Sequence, residues 1–402
     1  MLRGTIRIAL AFVGFLAVLF VALITYRFYH YNDNLWFPGY REWMRERVPA
    51  AQRGAPVHVM VLIADHFEPL YFEERVRRWE VGYPAFADRH RDHYGRVMQH
   101  TWFYPGDQVN HLFLNTLAGL VGRGYGEVEL HYHHGFDNYA SFERRLNTAI
   151  AAFQQHGFLR TVDGQTKYGF VHGNFGLDNS NGDAWCGVNE EIKLLLSTGC
   201  YADFTFPSIR EPAQPRAVNR IYEALDDPEP KSYDKVYPFT GAPSPGRLAI
   251  FEGPLIAYFS PKTLYRLEVA YINALPTTAE RVDMWVDAGI HVAQRPDWIF
   301  VKMWAHGAQS EEDIAGNIGV GMDAAMFYME AKYNDGTNYV LHYVTAREAY
   351  NVARAAAAGK TGDPVQYYDY EIKPYLANQT TARANSLLDQ TSQAAGQDVA
   401  AH

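Results

Sequence analysis

The sequence predicts an α/β fold, a (β/α)7-8 barrel preceded by one N-terminal transmembrane helix, and three observations carry that reading. Short β-branched or aromatic runs alternate with amphipathic or Ala-rich stretches, the pattern of parallel strands joined by helical crossovers. About seven or eight such units in roughly 310 residues suit a barrel better than an open sheet. Ahead of them the chain is uncharged from Ile8 to Thr25, close to the length needed to cross a hydrocarbon core of roughly 30 Å.

The N-terminal segment, residues 1–30, reads as an uncleaved anchor, because the apolar run ends in TYRFYHYNDNLWF with no A-x-A cleavage pattern. Arg3, Arg7 and the amino terminus precede the run and only Arg27 follows closely, so the positive-inside rule places the N-terminus in the cytoplasm. The expected location is the inner (plasma) membrane, single-pass, with the barrel on the periplasmic or extracellular side. Tyr26, Phe28, Tyr29, Tyr31, Trp36 and Phe37 read either as an interfacial aromatic belt or as packing against the soluble part. Residues 31–55 read as a juxtamembrane linker. An exported chain permits a disulfide between Cys186 and Cys200, and two separate buried thiols are the alternative.

Residues 56–375 hold the barrel. Strand-like runs lie at 57–65, 97–105, 126–134, 168–174, 201–208, 247–258, 297–306 and 338–346, with helix-like stretches at 139–157, 189–199 and 346–359. The stretch 209–246, rich in Pro, Asp and Lys, reads as a long loop insertion, and 376–402 as a polar, aromatic-free tail. A net charge of -9 with no basic block excludes a nucleic-acid partner, which needs Lys and Arg to replace phosphate counterions. The glycine-rich pieces GRGYG and GNIGVG match neither the P-loop nor the dinucleotide pattern.

Polar residues gather at the C-terminal ends of the predicted strands, the face on which parallel barrels keep their active sites. Asp65 and His66 end the first strand, His131, His133 and His134 the third, His172 and Asn174 the fourth, His306 the seventh, and Thr345 and Arg347 the eighth. On GEVELHYHH the period of two places Val128, Leu130 and Tyr132 on one face and Glu127, Glu129, His131 and His133 on the other. Two of the three imidazoles can then reach one ion, with Asp65 or His66 as a third ligand and an open position for water. His172, Asn174, Asp178 and Trp185 fall in a stretch dense in amide, carboxylate and aromatic groups that suits either a sugar site or a turn-rich loop capping the next helix.

These residues, taken in order, resemble the polysaccharide deacetylase superfamily, the NodB-like carbohydrate esterases, over most of residues 56–350. The resemblance rests on Asp-His after strand one, a His cluster preceded by GEVEL, FPS after a later strand, and His306 in KMWAHGAQ. It implies a distorted barrel, Asp65 as catalytic base, His306 as general acid, and a divalent metal, zinc above others, held among His66, His131, His133 and His134. The chain departs from the family at three points. His66 stands where a second acidic ligand is expected, the histidine spacings are one, two and three where four is usual, and the Arg-x-Pro-x-Gly pattern keeps only Pro207. A divergent branch is implied: a membrane-anchored, metal-dependent hydrolase that removes acetyl groups from an exported or cell-envelope polysaccharide or oligosaccharide. The alternatives are a glycoside hydrolase using two of Glu68, Asp137 and Asp178, or a catalytically inactive glycan-binding or assembly protein.

Overall fold

The computed structural model describes residues 2–260, 262–273 and 276–378, so residues 379–402 of the predicted tail lie outside the described part. The chain opens with α1 (Leu2–His30) and α2 (Asp33–Glu46). Within α1 the stretch Leu10–His30 has a mean hydropathy of 2.2 and none of it is buried, so it is long and apolar enough to cross a bilayer. The stretch read as a linker carries α2, which docks on the folded part. Trp36 of α2 is buried with Val218, Leu255 and Val269, and a side chain at Gly39 would collide with the Arg216 carbonyl. The aromatic set thus divides, with Trp36 in a core and Tyr26 and Tyr29 exposed.

Ten strands form one sheet: β1 (Val57–His66), β2 (His100–Pro105), β3 (Gly126–Tyr132), β4 (Tyr168–His172), β5 (Cys200–Asp203), β6 (Ile221–Leu225), β7 (Val236–Tyr237), β8 (Arg247–Phe251), β11 (Trp298–Ala305) and β12 (Tyr339–Tyr343). Between β8 and β11 the chain makes a separate antiparallel hairpin, β9 (Ile256–Ser260) and β10 (Leu264–Glu268). The sheet order is β11-β1-β2-β3-β4-β5-β8-β6-β7. It is parallel except at β6 and β7, the antiparallel pieces contributed by the 209–246 insertion. Each of the eight predicted runs contains a strand, and the run 247–258 divides between β8 and the start of β9. No ladder joins β8 to β11 among the described residues. The two regions nonetheless approach each other, since Lys302 Nζ of β11 donates to the carbonyls of Phe204 and Phe206 just beyond β5.

Alternation along β1 explains the layers. Val57, Val59, Val61 and Ile63 face a core built with α3 (Glu73–Ala87), α4 (His111–Gly122), α5 (Tyr139–Gln154), α6 (Glu191–Thr198), α7 (Ala279–Ala288), α8 (Glu311–Ile318) and α9 (Val320–Tyr333). Met60, Leu62 and Ala64 face the opposite, inner side with Phe103, Val171, Phe204 and Phe300. The last helix, α10 (Ala346–Ala357), packs on that inner side and is buried on all its faces through Ala356. A helix enclosed on every side must be thin, which accounts for its run of alanines. Its charged residues are paired: Arg347 with Glu127 and Arg354 with Glu223.

One register decides what reaches the mouth, the face formed by the C-terminal ends of the parallel strands. β12 pairs with Val57 to Val61, the first half of β1, whereas β2 pairs with its last three residues. The C-terminal end of β12 therefore stops level with the middle of β1. Thr345 and Arg347, expected at the mouth, instead begin α10 below it, with Thr345 capping that helix in a box with Glu348.

Candidate metal centre

The centre is assembled from the ends of β1, β3 and β11. His66 is the last residue of β1 and shares the inner face with Leu62 and Ala64. Its ring lies 5.1 Å from that of His131 and 4.9 Å from that of His306, centroid to centroid. Two residues beyond His66, Glu68 turns its carboxylate to the same point. Glu68 Oε1 is 3.0 Å from His133 Nε2 and 3.6 Å from His131 Nε2, and Oε2 accepts from Gln309 Nε2 at 2.6 Å and lies 3.8 Å from His306 Nε2. One donor atom each from His66, Glu68 and His131 lies within 4.8 Å of the others, and all three residues are buried.

Hydrogen bonds fix which ring atoms are free. His131 Nδ1 donates to the Val171 carbonyl at 2.9 Å, so Nε2 keeps its lone pair and points at the cluster. His133 is anchored to Asp107 Oδ1 through both its backbone N–H and Nδ1. The His66 Nε2 atom is buried without any hydrogen-bond partner. A buried, uncommitted imidazole nitrogen is costly.

The charges sort the cluster into donors and one fixed positive partner of Glu68. Burial would raise the Glu68 carboxyl, but His131 and His133 beside it hold it well below the usual carboxylate range. Burial opposes protonation of His133, yet Asp107 and Glu68 outweigh it and lift its pKa to about 10. Burial and then the neighbouring rings of His306 and His131 push His66 well below its ordinary value, and burial lowers His306. His66 held neutral beside an ionised Glu68 gives the kind of donors a borderline divalent ion such as zinc prefers, and His133, kept protonated by Asp107 and Glu68, stands outside the donor set of His66, Glu68 and His131. Phe175, Trp304 and Tyr271 form an aromatic wall: Phe175 and Trp304 pack against His66, Tyr271 stacks on Trp304 at 4.2 Å, and the Tyr271 hydroxyl lies 3.3 Å from His306 Nδ1.

The structure distributes the predicted residues unevenly. His66, His131, His133 and His306 come together around Glu68. Asp65 does not join them, because adjacent strand residues face opposite sides. Its buried carboxylate accepts the Gly307 N–H at 2.5 Å and lies 3.0 Å from His100 Nε2. A side chain on Gly307 would sit 2.1 Å from Asp65 Oδ2, so Asp65 and Gly307 seat the loop that carries His306 and Gln309. His134 also turns away, to join His172 on the helix-covered side of the sheet. Asp178 is buried and accepts from Ser232 N and Oγ, Asn174 is exposed in a left-handed conformation, and Trp185 is 49% exposed. These four predicted sugar contacts do not line one cleft. Cys186 and Cys200 are separate buried thiols.

No family model matches this chain, and no curated protein matches it. Its chemistry is therefore read from the side chains themselves. Sequence reasoning named Glu68 only as a glycosidase carboxylate and passed over Asp107, Gln309, Phe175, Trp304 and Tyr271. The signal for Glu68 was its parity with His66 in DHFEP; the others have no local signal, because they arrive from distant elements.

Proposed function

We propose that the chain is a membrane-anchored, metal-dependent hydrolase on a distorted (β/α) barrel, removing N- or O-acetyl groups from an exported or cell-envelope polysaccharide or oligosaccharide. The observation that carries this reading is the buried donor set of His66, Glu68 and His131, with an uncommitted His66 Nε2, at the C-terminal ends of parallel strands. A zinc-class ion held there would polarise an acyl carbonyl and make a bound water more acidic. His133, fixed by Asp107, orients Glu68. His306, beside the Tyr271 hydroxyl, takes the proton from water and passes it to the leaving amine or alkoxide. The aromatic wall of Phe175, Trp304 and Tyr271 excludes water and offers ring faces to a pyranose. Asp65 is a positioning residue in this scheme, acting through Gly307 and the loop that bears His306.

The decisive experiment incubates the detergent-purified full chain with acetylated envelope polysaccharide and measures acetate and reducing ends together. Acetate without reducing ends is expected. Reducing ends without acetate would replace this reading with a glycosidase, and binding without either product would leave a glycan-binding protein. In the same assay His306→Ala should lower kcat by about 10²- to 10⁴-fold while the bound metal stays, since a general acid–base contributes that much.

Asp65→Asn separates positioning from base catalysis. The amide oxygen still accepts the Gly307 N–H, so kcat should stay within about tenfold of the parent with its pH profile unmoved. Loss of about 10²-fold or more would restore Asp65 as the base. The orientation of the anchor has its own test. Arg3 and Arg7 before the apolar helix predict that a reporter fused after residue 55 works only if it folds outside the cytoplasm. Activity of a cytoplasm-dependent reporter at that position would reverse the topology.

A further inference from the structure

Behind the strand ends, on the helix-covered side of the sheet, lies a second group of donors that the proposed reaction does not use. His134 follows β3, His172 ends β4, Cys186 lies in the irregular stretch after β4, and Glu191 opens α6. One donor atom from each lies within 4.8 Å of the others. His134 Nε2 is 2.9 Å from His172 Nε2 and 3.1 Å from Glu191 Oε1; His172 Nε2 is 3.3 Å from that same oxygen; Cys186 Sγ is 3.4 Å from Glu191 Oε2. The side chains of His134, His172 and Glu191 are wholly buried, as is Cys186.

Tautomer arithmetic leaves at most one hydrogen among the facing atoms and a buried His134 Nδ1 without a partner. His172 Nδ1 donates to the Gly173 carbonyl at 2.5 Å, leaving Nε2 as a bare lone pair. His134 Nδ1 lies 3.2 Å from Asp137 Oδ2. His134 Nδ1 has no hydrogen-bond partner there, so without an ion the ring proton belongs on Nε2, where it serves Glu191 Oε1 or His172 Nε2 and strands a buried Nδ1. Two imidazole nitrogens and a carboxylate oxygen thus face one another with a single hydrogen to share. A cation among them would take both lone pairs and the carboxylate oxygen, and would return the His134 proton to Nδ1, facing Asp137.

We infer that His134, His172, Cys186 and Glu191 form a closed, four-ligand structural zinc site, separate from the centre at the mouth. The donor types and number suit tetrahedral zinc, and the Asp137 carboxylate and Gly173 carbonyl behind the rings are the outer partners that such histidines keep. The charge balances as well: binding releases the Cys186 thiol proton, and thiolate plus carboxylate neutralise a divalent ion in a buried place. With every ligand buried no position is open to substrate. The ion would tie together β3, β4, α6 and the stretch between β4 and α6, where Asn174, Phe175, Asp178 and Asn179 all have left-handed backbone angles. That stretch carries Phe175 of the aromatic wall. It also brings Gly173 against His133, where a side chain would fall 2.3 Å from the ring.

Cobalt substitution of the full chain tests this without any assay of turnover. The cobalt-loaded wild type should show a thiolate-to-cobalt charge-transfer band, since Cys186 is the only sulfur donor in either group. Cys186→Ser should lose the band and bind one equivalent of zinc less, whereas His131→Ala should keep the band and lose the other equivalent. Chelation should also speed alkylation of Cys186 in the wild type. A cobalt-loaded wild type without the thiolate band overturns the proposal whatever the variants do, and so does unchanged zinc content in a folded Cys186→Ser chain.

Discussion

His131→Ala is expected to remove the metal at the mouth and to lower kcat/KM by about 10³-fold or more, since metal activation supplies several kcal/mol of transition-state stabilisation. His131 is one of three buried donors there, and its Nδ1 is already committed to the Val171 carbonyl, so no neighbour on β3 can take over its Nε2. His133, the nearest ring, is tied to Asp107 and Glu68. The fold should survive, because the site crowns the strand ends and the cores on either side of the sheet do not depend on it. Metal analysis and acetate release on the same preparation check this. Retained metal with unchanged kcat/KM would remove His131 from the centre.

Arg347→Ala should cost about 3–5 kcal/mol of stability, the range for stranding one partner of a buried ion pair. The Arg347 guanidinium lies 2.8 Å from Glu127 Oε1, and both side chains are almost fully buried. It also donates to Asp369 and to the carbonyls of Tyr368 and Ile372. Its removal leaves the Glu127 carboxylate buried without its cationic partner, while the two carbonyls keep only Asn351 Nδ2 as a donor. Denaturant midpoints of the detergent-solubilised chain measure the loss. The double variant Glu127→Gln with Arg347→Met should recover a large part of it, because a neutral amide beside an apolar chain carries no uncompensated charge. A loss below about 1 kcal/mol for the single variant would mean that water reaches Glu127.

Periodicity along a single strand is legible in the sequence. The alternation in GEVELHYHH separates His131 from Tyr132 because successive side chains of a strand point oppositely whatever surrounds them. Strand and helix runs, the apolar N-terminal helix and the clustering of polar groups at strand ends are local properties of the same kind. Parity also bears on Asp65 and His66: only one of them can face the inner side, and their neighbours Ala64 and Phe67 do not say which. The sheet answers this by placing Leu62 and Ala64 inward with His66.

What depends on the meeting of distant segments could not be read along the chain. The half-strand offset of β12 against β1 withdrew Thr345 and Arg347 from the mouth and turned α10 into an inner, alanine-lined helix. The HYHH cluster divided between two sites on opposite faces, His131 and His133 toward Glu68 and His134 toward His172, Cys186 and Glu191. Gln309, Asp107 and Tyr271 reached the centre from three separate loops. Local pattern follows from backbone geometry, which every residue carries with it. Which donors converge follows from strand register and helix placement, and these are settled only when the whole sheet and its two cores pack together.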